Sequence, residues 1–109
     1  MSYSIHLQID TGSGEAMTVV EVGSYTSNVG PMWCEALGGK LLREYKDAPC
    51  SEAAGPLAEA VKRMEADPDR YREMNPKNGW GDYEGALDFL RRLAEACAQH
   101  PKCTIWIWA

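Results

Sequence analysis

Apolar and polar residues alternate from Tyr3 to Ile9. Tyr3, Ile5, Leu7 and Ile9 fall on one side, and Ser4, His6 and Gln8 on the other. Period two marks a strand buried on one face. A turn cluster, Asp10-Thr11-Gly12-Ser13-Gly14, follows, and then EAMTVVEV over 15–22. The pattern predicts a β-hairpin, with Gly23 ending its second strand. Beyond it the period changes. Val29, Met32, Trp33, Ala36 and Leu37 recur at helical spacing. Thr26, Ser27 and Asn28 are each able to cap that helix, Pro31 suits its first turn, and Gly38-Gly39 stops it.

Residues 40–49 carry no clear period. Leu41, Leu42 and Tyr45 suit either a helical turn or a packed loop. A second helix is expected to start between 51 and 55, capped by Ser51. Pro56 deep inside it would clash with the carbonyl one turn back. Its apolar face is Leu57, Ala60, Val61 and Met64. Asp67-Pro68 opens a short helix, PDRYREM, which ends before Asn75-Pro76 because a residue before proline avoids the α region. The strongest stripe belongs to the next helix, from about Asp82. Tyr83, Leu87, Leu90, Ala94 and Cys97 align, and Ala86, Phe89 and Leu93 widen the face. His100-Pro101 ends it. CTIWIWA then reads as a strand, with Ile105 and Ile107 on one face and Thr104, Trp106 and Trp108 on the other.

This order predicts one α+β domain over 1–109. It has an N-terminal β-hairpin, three main helices plus one short helix, and a C-terminal strand. The helices pack on one face of a small three-stranded sheet.

Composition narrows the function class. The formal charge is −5, and the basic residues are dispersed among acids, so general nucleic-acid binding is not expected. No apolar run is long enough to span a membrane. The N-terminus lacks the basic-then-apolar pattern of a secretory signal, so the cytoplasm is the expected compartment. There the four cysteines, at 34, 50, 97 and 103, are expected to be reduced. Cys34 and Cys97 fall on apolar helical faces, as small buried hydrophobes do.

Little points to catalysis. Cys97, His100 and Cys103 have zinc-compatible chemistry, with His6 or water as a fourth ligand. A single helix-to-strand turn would have to converge all three, and no close Cys-x-x-Cys pair supports them. No metal and no cofactor is therefore expected. No cysteine carries the marks of a nucleophile, and no carboxylate pair stands out. Gly12-Ser13-Gly14 is too short for a phosphate loop and lies in a hairpin.

The aromatic residues are the better candidates. If the tryptophan face of the last strand packs against the helices, the isoleucines form the outer surface. In the alternative, Trp106 and Trp108 lie open, as in a stacking platform or an interface core. NPKNGWGDYEG, over 75–85, poses the same question for Trp80. The plain expectation is a chain reversal in which Trp80 plugs the helix junction. The alternative presents Trp80 and Tyr83 to a partner.

YTSNVGPMW over 25–33 and MEADPDRYREMNPKNGWGDYEG over 64–85 resemble a pattern in small proteins of bacteriophages and of prophage-bearing actinobacterial genomes. The resemblance spans most of the chain. The family has no assigned activity, so it implies context and no site: a cytoplasmic phage accessory protein acting on a host or defence component. The leading expectation is a non-catalytic protein that binds a host or phage protein, or pairs as a homodimer. The runner-up is a small-ligand, nucleotide-like binder. In that reading aromatic rings stack the base, and Asn28 or Asn78 contacts polar groups.

Overall fold

The computed structural model describes residues 2–10, 12 and 14–108. Strand β1 (Ser2–Asp10) pairs antiparallel with β2 (Ala16–Thr26) and with β3 (Thr104–Trp108), giving the order β2-β1-β3. Helices α1 (Gly30–Ala36), α2 (Cys50–Ala66), α3 (Pro68–Arg72) and α4 (Tyr83–Gln99) lie between the hairpin and β3 in sequence. The α+β architecture expected from the element order is the one found.

β1 sits at the centre, so its alternation decides which face is buried. Ile5 pairs with Ile107, and Leu7 with Ile105; all four are buried under the helices. The expectation that the tryptophan face packs inward is therefore overturned. Trp106 and Trp108 stand opposite His6 and Ser4, on the polar side of β1.

Of the expected turn cluster 10–14, residues 11 and 13 lie outside the described residues, as does Ala109 of the CTIWIWA segment. Asp10 Oδ1 accepts from the Gly12 amide at 2.8 Å. β2 does not stop at Gly23. It runs on to Thr26, with register shifts that leave Val19 and Val22 as extra residues on its side of the ladder. Gly23 adopts φ +124° beside the second bulge, a conformation that side chains resist. Thr26 then accepts from the Asn28 amide, capping a 3-10 turn (Ser27–Val29) that leads into α1. Pro31 lies in the first turn of α1, as expected.

Residues 42–45 form a 3-10 turn that buries Leu42 and Tyr45. The following loop docks on the outer edge of β3. Asp47 N–H donates to Ile105 C=O at 2.7 Å, Ile105 N–H to Ala48 C=O at 3.0 Å, and Cys50 N–H to Cys103 C=O at 2.8 Å. α2 starts at Cys50, after Pro49, and Ser51 is not its cap. Pro56 lies inside the helix after all. The carbonyl it orphans belongs to Glu52, and both residues are exposed, so water can serve that carbonyl. α2 and α4 pack along each other over the sheet. Trp33 of α1 is fully buried and donates its indole N–H to Ala86 C=O of α4 at 3.0 Å. Tyr3, Tyr25 and Phe89 have ring centroids within about 6 Å of it.

Candidate functional site

Two distinctive stretches, 25–33 and 75–85, meet at one end of the sheet. The contact depends on missing side chains. A Cβ on Gly81 would lie 2.5 Å from Thr26 Cγ2 and 2.9 Å from Val29 Cγ1. One on Gly85 would overlap the Tyr25 phenol, only 2.6 Å from its Cζ. With both glycines in place, the Tyr25 hydroxyl accepts from the Asp82 N–H at 3.1 Å. Asp82 is the N-cap of α4, and its carboxylate accepts from the Gly85 N–H at 2.8 Å. Asn75 Oδ1 accepts from the Tyr83 N–H at 2.8 Å, and Asn78 Oδ1 from the Trp80 N–H at 3.0 Å. Three short polar side chains thus shape the reversal, as Asx-type bonds do in tight loops.

The loop does not bury Trp80. That indole is 67% exposed, so the plug expectation fails. Tyr83 is the plug instead. It is buried, its hydroxyl donates to Met64 C=O at 2.6 Å, and its ring stacks on Tyr71. Tyr83 belongs to the α4 stripe, which faces α2, whereas Trp80 precedes the helix and owes its direction to the loop. Tyr83 is accordingly removed from the contact candidates.

Trp80, Asn28 and Asn78 come together. With Ser24, Tyr25 and Thr26 they line an open groove of about 680 Å³. None of its described lining residues has a charged side chain. The groove opens beside the uncovered sheet face. Ser4 pairs with Ser24 on one side and Trp108 on the other, and the two serine hydroxyls are 2.8 Å apart. Trp108 is 63% exposed and meets Trp106 edge-on at a centroid distance of 5.9 Å. The register therefore sets Trp108 about two strand spacings, roughly 10 Å, from Ser24 at the groove's rim. Ser24 links the two tryptophans: it lines the groove with Trp80 and shares a cross-strand row with Ser4 and Trp108.

Further along that face, Trp106 is half-buried. The Lys46 ammonium sits 4.3 Å from its ring centroid, within cation–π range. His6 lies beside the same ring at 6.4 Å and bonds the Gln8 carboxamide at 3.1 Å. Sequence reasoning did not identify Lys46 here, because only the docking of the 47–50 loop on β3 brings it there.

The cysteines form a different group. Cys97 and Cys103 are buried with Cys50, which the sequence did not link to them. Burial pushes the Cys50 and Cys97 thiols above the usual thiol range. His100 is not brought into a ligand set with Cys97 and Cys103. Among the described residues, no group of three or more His, Cys, Asp or Glu side chains is placed to hold a metal. A buried, protonated thiol is also a poor nucleophile.

No helix among the described residues is long and apolar enough to cross a membrane. No family model, curated protein or solved structure matches this chain.

Proposed function

We propose that this protein is a non-catalytic binding module that docks on another protein through the uncovered sheet face and the groove beside it. One observation carries the reading: Trp80 and Trp108, both largely exposed, are linked through the cross-strand row Ser24–Ser4–Trp108, and the described residues of the groove beside it include no charged side chain. Charged residues make up 25% of the chain. Depletion of charge together with exposed tryptophan is the compositional signature of an interface core. Among the four tryptophans, Trp33 shows what a structural indole looks like here: fully buried and hydrogen-bonded.

The resemblance of residues 25–33 and 64–85 to small phage proteins points to a partner of host or phage origin. The runner-up is a nucleotide-like ligand in the groove. It gains from the nearness of Trp80, Asn28 and Asn78. It loses because no lysine or arginine is among the described residues that line the groove, to balance a phosphate.

Affinity capture from the cells that carry the gene tests the proposal, comparing wild type with Trp108→Ser and with Glu59→Ser on the exposed side of α2. A protein retained by wild type and Glu59→Ser, and lost by a folded Trp108→Ser, supports it. Equal retention by all three, or none by any, overturns it.

A further inference from the structure

We infer that the segment accepted by this surface is a proline-rich stretch in the polyproline II conformation. The inference rests on the protein-binding reading above and specifies the chemistry of the partner.

The lining of the groove carries the argument. Its residues are aromatic or neutral and polar, so an acidic or basic peptide finds no counter-charge there. The hydrogen-bonding capacity left over is rich in donors. The Asn78 carboxamide oxygen accepts from the Trp80 amide, which leaves its NH2 group as a donor in the lining of the groove. Asn28 is engaged through its backbone N–H, and none of its side-chain bonds lie within the described structure. The indole N–H of Trp80 has no acceptor among the described residues, in contrast to that of Trp33. Indole is donor-only.

A polyproline II chain is the complement of such a surface. It has no internal hydrogen bonds, so every carbonyl seeks a donor, while each proline brings no N–H that needs an acceptor. Its pyrrolidine rings pack on exposed aromatic faces, and its stiffness limits the ordering entropy lost on docking. A β-strand suits the site less well. The outer edge of β3 is already occupied around Ile105 by the 47–50 loop, and β2 is bulged at Val19 and Val22.

The dimensions agree. From Ser24 to Trp108 is roughly 10 Å by the strand spacing, about one polyproline turn at ~3.1 Å per residue. A segment of about eight residues, ~25 Å long, spans the Ser24–Trp108 row and extends beyond it into the groove that Ser24 and Trp80 both line.

The test is a titration of the full ¹⁵N-labelled chain with N-acetylated, C-amidated octaproline, followed by ¹H–¹⁵N correlation spectra. A Gly-Ser octapeptide and adenosine serve as separate arms. The expected result is saturable movement of the Trp80 and Trp108 indole signals and of the Asn28 and Asn78 side-chain amides. The buried Trp33 indole signal stays in place. Trp80→Ala is expected to weaken binding at least tenfold while leaving the Trp33 signal unmoved, which reports an intact fold.

No movement with octaproline at millimolar concentration overturns the inference. So does equal movement with the Gly-Ser peptide, or movement of the groove signals by adenosine but not by octaproline. If octaproline fails while Trp108→Ser still loses a captured partner, only the polyproline assignment falls. If no variant alters capture, the protein-binding reading falls as well.

Discussion

The hydroxyl of Tyr25 lies 3.1 Å from the backbone nitrogen of Asp82 and accepts its hydrogen bond. That contact joins the end of β2 to the N-cap of α4, and it exists because Gly85 has no side chain. Gly85→Ala is expected to destabilise the fold by about 1–3 kcal/mol, since a Cβ would collide with the phenol. In a Tyr25→Ala background the obstacle is gone. Alanine's helix propensity should then make the same change stabilising, by up to about 1 kcal/mol. Urea unfolding of the four proteins measures the coupling. Equal effects of Gly85→Ala in the two backgrounds would contradict this packing.

Trp80→Ala and Trp108→Ser remove large side chains that are mostly in water. Each is expected to change stability by no more than about 0.5 kcal/mol. Trp33→Ala empties a buried site and breaks the bond to Ala86, and should cost about 3–5 kcal/mol. Thermal melts separate the cases. A large loss for Trp80→Ala would restore the plug role.

The thiols should differ in reactivity. Cys34 is partly accessible, whereas Cys50, Cys97 and Cys103 are buried. Burial keeps Cys50 and Cys97 protonated beyond the usual range. One equivalent of a neutral-pH thiol reagent is expected to react with the native chain, and four after denaturation. Peptide mapping that found Cys97 labelled as fast as Cys34 would count against the packing described.

Stability should fall in alkali. Burial raises the titration of Cys97, and likewise of Tyr83 and Tyr71, above ordinary values of 9.0 for the thiol and 10.0 for the phenols. A group whose folded pKa is raised contributes fully below its unfolded pKa and loses that contribution as pH climbs toward the folded one. The urea midpoint is therefore expected to hold up to about pH 8.5 and to decline above pH 9–10. The decline should be shallower in Cys50→Ala/Cys97→Ala. An unchanged slope in that variant would remove the thiols from the explanation.

Much of this fold was legible in the sequence, for local reasons. Ser4, His6 and Gln8 alternate with apolar neighbours, and Asp82 precedes a long stripe, so the central strand and the capped helix needed no tertiary information. CTIWIWA was ambiguous because both of its faces are apolar. Its orientation follows from the register Ile5–Ile107, a pairing between residues at opposite ends of the chain. Trp80 was misjudged in favour of size: a large indole between glycines looks like a plug. Tyr83 carried the better evidence, since it shares a helical face with Leu87 and Leu90. Of the candidate site, Asn28, Asn78 and Trp80 were each singled out. Their convergence with Ser24 depends on the approach of Gly81 to Thr26 and Val29, a non-local contact with no local signature. Cys50 joined Cys97 for the same kind of reason.

The central claim is that the surface bounded by Trp108 and Trp80 meets another protein. The most direct measurement places a photo-reactive benzoylphenylalanine at position 108, at position 80, or at Glu59 on the exposed side of α2, and irradiates the cells that carry the gene. The account expects one discrete cross-linked protein species shared by positions 108 and 80 and absent from position 59. The same species from all three positions, or none from 108 and 80, would contradict it.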